Sequence, residues 1–455
     1  MILALILGKL IYIFLKDKEV EKANNKKVYI ETYGCQMNLA DSEIISGLMS
    51  TRGYNITSEI EGADIILLNT CSVREHAEER VIQRIKTLSK LKSKKPFILG
   101  VIGCMAERLK EELFEIDYEI DLVLGPDNYR KLPEYINNIE EQKKICDTQL
   151  SEIETYSDII PSRDSTVTAW LPIMRGCDNY CSYCIVPFTR GKERSRSFSS
   201  IIDEAKYLID NNYKEIYLLG QNVNSYFDSD KDFSDLLSSV ANLNENIRIR
   251  FMTSHPKDLS DKLIFTIKEH PNICKYIHLP FQSGSDRILK LMNRNYTKKD
   301  YLNLIDRIKN NIPDVSLSTD IIVGFPTETE QDFLDTLDIV NKVKFDSAFT
   351  FKYSPREGTI AYNFDDDISD EIKGERLKRL IDIQQQISFE SNNKLIGTIQ
   401  TALIESYSKK SEKEFQGRLD NNKVTVFPGN GNFIGDLVNV KITKATSATL
   451  IGELI

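Results

Sequence analysis

Cysteine is scarce in this chain, with eight in 455 residues, and so are proline, with 13, and glycine, with 21. So little proline and glycine excludes collagen-like and low-complexity disordered chains, and eight cysteines over this length make a poor disulfide framework. Long apolar runs are also lacking. Residues 1–15, MILALILGKLIYIFL, would reach about 22 Å as a helix, short of a ~30 Å hydrocarbon core, and Lys9 sits in their middle. The charges follow this run, the reverse of a secretory signal peptide. We therefore expect residues 1–26 to be an extra tail or a weak membrane-surface anchor, and the protein to be cytoplasmic with reduced thiols. An excess of positive charge is missing too: 59 Lys and Arg stand against 68 Asp and Glu, a net charge of −9. A nucleic-acid partner would have to be held by local basic patches.

What is present is organised in three regions, as the length suggests. Over 27–145, short apolar runs alternate with amphipathic stretches. KVYIETYG (27–34), ADIILLNT (63–70), PFILGVIG (96–103) and IDLVLG (120–125) are expected strands, with helices over 39–50, 73–91, 105–114 and 129–139. This is the pattern of an α/β domain with a parallel sheet. Cys35, Cys71 and Cys104 come immediately after the first three strands. A parallel sheet places all its carboxyl ends on one edge, so topology alone brings these residues together. A free cysteine is often just a small buried hydrophobe. Three repeats of the same placement instead favour an iron–sulfur cluster or, with a fourth ligand, zinc. The one nearby histidine, His76, lies a full turn into the following helix. Residues 146–164 are acidic and aperiodic and read as a linker; Cys146 is given no role.

The most specific signal is CDNYCSYC, which sets Cys177, Cys181 and Cys184 in a CxxxCxxC array. Three thiolates on one loop can hold three irons of a [4Fe–4S] cluster and leave the fourth open, whereas a structural zinc site needs a fourth ligand that does not follow. The array, with Tyr183 before its last cysteine, resembles the signature of the radical S-adenosylmethionine superfamily. Strand-like runs at 168–176, 215–222, 247–256, 276–283, 315–325 and 345–355, separated by amphipathic segments, fit the partial (βα)6 barrel of that superfamily over 165–393. Polar residues cluster where these strands end. Gln221, Ser254 and Gln282, with Tyr183, are the candidates for an S-adenosylmethionine or substrate pocket. His255, His278 and Cys274 are assigned no chemistry. TRGKERSR (189–196), with Arg175 and Asp178, has a local net charge of +3, and Arg190, Lys192, Arg194 and Arg196 are candidate RNA phosphate contacts.

From 394 to 455 the texture becomes β-branched and turn-rich, as in a small β-barrel of the nucleic-acid-binding type. Eight basic and six acidic residues from 391 onward make it only mildly cationic. KKSEKE (409–414) is expected to be a solvated hairpin loop.

Three cysteines on strand ends, CxxxCxxC opening a barrel and a small β module together resemble the methylthiotransferase family of radical S-adenosylmethionine enzymes. The resemblance covers about residues 27–455 and is carried by ETYGCQMNLADSE, NTCSVRE, GCMAER, RGCDNYCSYCIVPFTRGKERSR, LGQNVNSY, TSHP, HLPFQSGS, DIIVGFP and FKYSPREGT. LGQNVNSY and TSHP look most like members acting on N6-isopentenyladenosine in tRNA, and less like those acting on threonylcarbamoyladenosine or a ribosomal protein. The C-terminal module resembles the RNA-binding TRAM domain. Thr327, in GFPTET, stands where the family usually has glycine.

The resemblance implies two [4Fe–4S] clusters, one on Cys177, Cys181 and Cys184 and an auxiliary one on Cys35, Cys71 and Cys104. It also implies two equivalents of S-adenosylmethionine, one a methyl donor and one the source of a 5′-deoxyadenosyl radical that takes hydrogen from C2 of the adenosine beside the anticodon. An aromatic C–H has no usable acidity, so such a reaction needs a radical cofactor while the protein supplies position and excludes water. The adenosine would have to leave its stack and enter a site between the first two domains. The implied partners are tRNA carrying isopentenyladenosine, a reductant such as flavodoxin or ferredoxin, and a sulfur donor system. Methylthiolation of threonylcarbamoyladenosine and a non-catalytic metal-containing RNA-binding protein are the alternatives.

Overall fold

The computed structural model describes residues 26–72, 75–139, 144–163, 165, 167–429, 431 and 433–455; residues 1–25 of the expected tail lie outside them. The chain divides into two units. One holds the described residues up to 163 with Ile185–Arg194, and the other holds Ser165–Cys184 with Ser195–Ile455.

The first unit is built on six parallel strands: β1 (Lys27–Thr32), β2 (Asn55–Thr57), β3 (Ile65–Thr70), β4 (Ile98–Gly103), β5 (Leu122–Leu124) and β6 (Ile145–Asp147). Their order is β2-β1-β3-β4-β5-β6. Side chains alternate across the sheet, so both faces are apolar and both need cover. Ile65 and Leu67 face the core under α1 (Gln36–Thr51), with Ile44, Ile45 and Leu48. Ile66 and Leu68 face the opposite core under α2 (Glu75–Lys92), with Val81, Ile85 and Leu88. The chain thus leaves β1 over one face and β3 over the other, which makes the β1/β3 edge the crossover point where open sheets of this kind bind ligands.

Two expectations are corrected here. The helix expected over 105–114 is two, α3 (Cys104–Leu109) and α4 (Glu112–Ile116), because Lys110 turns the backbone to φ 50° between them. The stretch read as a linker from 146 belongs to the first unit: β6 pairs with β5, Tyr156 is buried against Tyr129, and Arg163 pairs with Glu43 at 3.1 Å. Helix α5 (Leu132–Asn138) closes this side, and α6 (Val186–Arg190) packs on α3.

The second unit contains six further parallel strands: β7 (Thr168–Pro172), β8 (Glu215–Leu219), β9 (Arg248–Phe251), β10 (Tyr276–His278), β11 (Ser316–Val323) and β12 (Ser347–Lys352). They pair as two three-stranded sheets, β7-β8-β9 and β10-β11-β12, linked by a parallel bridge from Ile249 to Ile273. Helices α7 (Phe198–Asp210), α8 (Phe233–Ala241), α9 (Asp261–Glu269), α10 (Asp286–Leu291), α11 (Lys298–Asn311), α12 (Glu330–Val343) and α13 (Asp370–Asn393) alternate with them. Each begins on a capping side chain: Ser197, Asp232, Ser260, Ser285, Thr297, Thr329 or Ser369. Such caps accept otherwise orphaned first-turn N–H groups, and each contributes about 1 kcal/mol. Leu171, Ile216, Leu218, Ile249, Phe251 and Phe281 belong to the continuous core between strands and helices.

The last five strands, β13 (Ile399–Ser408), β14 (Ser411–Leu419), β15 (Val424–Pro428), β16 (Leu437–Ala445) and β17 (Leu450–Leu454), close a barrel in the order β13-β14-β15-β17-β16 around Ile404, Phe415, Phe427, Val440 and Ile442. The expected loop at 409–414 is only a two-residue turn, since 411–414 already belong to β14. This barrel is seated at the amino ends of the parallel strands. Arg248 donates to the carbonyls of Arg418 and Thr401, both at 2.8 Å, and Arg250 to those of Asp420 and Leu419, at 2.8 and 2.6 Å. Among the described residues, no helix is long and apolar enough to cross a membrane.

Candidate active site

In the first unit the strand-end cysteines converge as the topology predicts. Gly34, at φ 112°, brings the chain so close to β3 that a Cβ there would lie 2.4 Å from Cys71 Cβ. Gly103, at φ 92°, does the same before Cys104, where a Cβ would lie 2.7 Å from the Thr70 carbonyl oxygen. Both conformations and both approaches require glycine. Hydrogen bonding to Cys71, helped by the Arg190 charge, pulls the thiol of Cys35, an exposed residue, down to about 6. Burial raises the Cys104 thiol, partly offset by Arg190.

Around these sulfurs stands a polar frame. The Arg190 guanidinium is buried; Nε lies 3.3 Å from Cys104 Sγ, and Nη2 donates to Asn38 Oδ1 at 3.0 Å and to Asp41 Oδ2 at 2.8 Å. Asn38 also donates to the Tyr33 carbonyl at 2.7 Å, and Asn69 fixes the Asn38 carbonyl at 2.8 Å. The sequence holds a signal for this frame: Asp41 is a carboxylate among Met37, Ala40, Ile44 and Ile45 on the buried face of α1.

The RNA-phosphate assignment of the basic run is corrected for the same reason. Arg190, Arg194 and Arg196 are buried and paired, Arg194 with Asp127 at 3.0 Å and Arg196 with Glu204 at 2.8 Å. Of the four candidates only Lys192 is exposed, 3.1 Å from Glu152. A run that alternates with Gly, Glu and Ser looks solvated in sequence, while its carboxylate partners lie up to 149 positions away.

In the second unit the CxxxCxxC loop is clamped by the end of α10. Ser182 Oγ donates to the Leu291 carbonyl at 2.7 Å, and Asn293 to that of Tyr180 at 2.9 Å. Cys184 N donates to the Cys181 carbonyl at 2.9 Å, and Asn179 to Cys177 Sγ at 3.3 Å. Arg294, which the sequence reading did not single out, directs Nη1 at Cys181 Sγ from 3.5 Å while Nη2 donates to the Pro280 carbonyl. Tyr183 packs against the cluster of Ile288, Met292, Phe325 and Tyr353, anchoring the loop.

Beside this loop, the strand ends present unsatisfied polar atoms. Gln221 Oε1, Ser254 Oγ and Gln282 Oε1 are buried without a hydrogen-bond partner, as are both amide atoms of Asn224. Buried polar groups are nearly always paired, so a group of orphans on successive strand ends fits a polar ligand such as S-adenosylmethionine. Thr253 and Gln282 also hold left-handed backbone, at φ 71° and 66°, and such strain concentrates at ligand sites. His255 accepts from Lys257 N at 3.2 Å and His278 bonds Ser318 at 2.8 Å; both hold local structure. Cys274 is buried, and burial raises its thiol. Cys146 packs against the apolar core below α2 and α3, and burial pushes its thiol up to about 12.

Each set offers three thiols, the donor type that iron–sulfur clusters take. Among the described residues, no three His, Cys, Asp or Glu side chains close around a single ion.

Comparison with known proteins agrees with this arrangement. Residues 27–125 match the uncharacterized protein family UPF0004, 171–340 the radical SAM superfamily and 393–455 the TRAM domain. The chain is 52% identical over 431 residues to the tRNA-2-methylthio-N(6)-dimethylallyladenosine synthase of Chloroherpeton thalassium, covering 94% of this chain and 96% of that protein. It is 48% identical over 445 residues to the synthase of the same name from Bacteroides fragilis, covering 96% and 97%. Among solved structures, the radical S-adenosylmethionine methyltransferase TsrM from Kitasatospora setae superposes with a TM-score of 0.54 at 12% identity, over 83% of this chain and 80% of that one. The cobalamin-dependent radical enzyme OxsB gives a TM-score of 0.54 at 13% identity over 80% of this chain, which spans 57% of the OxsB chain. Both show likeness of fold.

Proposed function

The chain belongs to the family of tRNA-2-methylthio-N(6)-dimethylallyladenosine synthases, radical S-adenosylmethionine enzymes that use a [4Fe–4S] cluster, and on that footing we propose how its residues divide the work. The reaction is methylthiolation at C2 of N6-isopentenyladenosine 37 in tRNA. Two three-cysteine sets support a count of two clusters: Cys177, Cys181 and Cys184 hold the radical-SAM cluster, and Cys35, Cys71 and Cys104 the auxiliary one. When bound, the clusters supply reductive cleavage of S-adenosylmethionine and a site for sulfur.

The protein's own part is binding and orientation. Gln221, Ser254 and Gln282 offer hydrogen-bonding atoms to S-adenosylmethionine or to the base. The clamp of Ser182 and Asn293 onto α10 holds the cysteine loop rigid, and Arg294 places a cation at the Cys181 sulfur. The domains proposed are 27–145, with 146–163 folded onto it, carrying the auxiliary cluster, then 165–393 and 394–455. The small barrel binds tRNA. A low-potential reductant such as flavodoxin or ferredoxin and a sulfur donor complete the system, which works in the cytoplasm, where tRNA is matured.

The observation that carries this reading is the pair of three-cysteine sets, each with a buried arginine directed at one of its sulfurs. Nucleoside analysis of tRNA from a deletion strain tests it: 2-methylthio-N6-isopentenyladenosine should vanish and unmethylthiolated isopentenyladenosine accumulate. An unchanged level, with loss of the methylthio derivative of threonylcarbamoyladenosine instead, would overturn it.

A further inference from the structure

Arg190 makes three directed contacts, and one of its donors is left over. Nε is directed at Cys104 Sγ and Nη2 at Asn38 and Asp41, while Nη1 is buried without a hydrogen-bond partner. A guanidinium presents its five N–H groups in one rigid plane, so fixing Nε and Nη2 fixes where Nη1 points. Leaving an N–H of a buried cation unmade costs free energy that a bound acceptor would restore. An anionic or sulfur acceptor suits this buried cation, whose Nε already faces the Cys104 sulfur. Asp41, itself buried, balances the charge and sets the orientation of the arginine.

We propose that Arg190 is the hydrogen-bond donor that sets the reduction potential of the auxiliary cluster, with Nε on the Cys104 sulfur, Nη1 on a sulfur of the cluster, and Asp41 as counterweight. The inference rests on the assignment of a cluster to Cys35, Cys71 and Cys104. Hydrogen bonds to cluster sulfurs and local positive charge favour the reduced, more negative state, so they raise the potential. Asp41 acts in the opposite sense. The two residues are therefore a matched pair whose separate removal shifts the potential in opposite directions.

The test uses the full chain with C177A, C181A and C184A together, which leaves only the auxiliary site. Iron content is measured first, then the fraction of reduced cluster by electron paramagnetic resonance in a potentiometric titration. In that background Arg190→Met should lower the ratio of reduced to oxidised cluster at a fixed potential at least tenfold, about 59 mV for a one-electron couple. Arg190→Lys, which keeps charge but loses the planar donors, should fall between, and Asp41→Asn should raise the ratio. Shifts of the same sign for Arg190→Met and Asp41→Asn, or none at full iron content, would overturn the inference while leaving the cluster assignment standing. If Arg190→Met binds no iron, equal potentials in Arg190→Lys, Asp41→Asn and the parent overturn it. Absence of iron from the triple cysteine background would instead overturn the cluster assignment, and the inference with it.

Discussion

Arg250 and Glu215 form a fully buried ion pair at 2.6 Å on neighbouring strands of the parallel sheet, and the same guanidinium reaches the backbone of the small barrel. One side chain thus joins two folded bodies. Removing it leaves a buried carboxylate uncompensated, a loss on the order of 3–5 kcal/mol. Arg250→Met should lower stability by about that much in chemical denaturation and expose the small barrel to proteolysis. Adding Glu215→Leu should restore part of the loss.

The two cysteine sets should be separable. Cys177→Ala should abolish cleavage of S-adenosylmethionine to 5′-deoxyadenosine, whereas Cys71→Ala should spare cleavage and stop sulfur insertion. Iron in anaerobically purified protein should fall from about eight to about four per chain in either variant. Equal loss of both activities in both variants would refute two independent sites.

Ser254 offers a test of the ligand pocket with opposite signs for stability and binding. Its buried hydroxyl has no partner, so Ser254→Ala should leave the unliganded protein as stable or up to about 1 kcal/mol more stable. Affinity for S-adenosylmethionine should fall about fivefold, measured by calorimetry on the anaerobic enzyme. Parallel losses in both would mean a structural hydroxyl.

His255 predicts an acid limb in stability. Burial, with Arg294 and Lys257 nearby, pulls its imidazole down to about 2, while an unfolded histidine titrates near ~6.5. Below that pH the unfolded chain binds a proton that the native state refuses, so stability falls as pH drops, by up to about 1.4 kcal/mol per unit. Above it the residue contributes no slope. His255→Asn should flatten the profile between about pH 6 and 4 relative to the parent; identical slopes would refute burial of a neutral ring.

Thr327 occupies left-handed backbone at φ 67°, held by Arg287 on its hydroxyl at 2.9 Å and by Asp367 on its N–H at 2.7 Å. A β-branched residue there costs roughly 1–3 kcal/mol, a cost that glycine would not carry. Thr327→Gly gives up one hydroxyl contact and should still gain about 1 kcal/mol in thermal or chemical unfolding.

Much of this architecture is legible in the chain. Apolar runs followed by Cys35, Cys71 and Cys104 announce strand ends on one sheet edge, and CDNYCSYC announces its own chemistry. Short or composite features escape. Ile145–Asp147 is a three-residue strand in a polar stretch, stabilised by its place beside β5 rather than by its own pattern. The helix break at Lys110 leaves no proline or glycine as a marker. Arg190 was visible as a charge, but its carboxylate and its cysteine lie 149 and 86 positions away, so only the fold reveals that it faces inward.

The seat of the small barrel has a further consequence for how this protein can change over generations. Arg248 and Arg250 end on four main-chain carbonyls, at Thr401, Arg418, Leu419 and Asp420. A carbonyl is the same whichever residue carries it, so these four contacts leave the side chains at those positions unconstrained, whereas Asp420 and Asn422 add side-chain contacts of their own, to Lys275 N at 3.0 Å and the Tyr217 hydroxyl at 3.2 Å. Selection on the attachment therefore falls on the two arginines together with Asp420, Asn422 and Lys423, the last paired with Asp346 at 2.7 Å. A foreign module grafted in place of the native one would have to keep these three side chains as well as the backbone course.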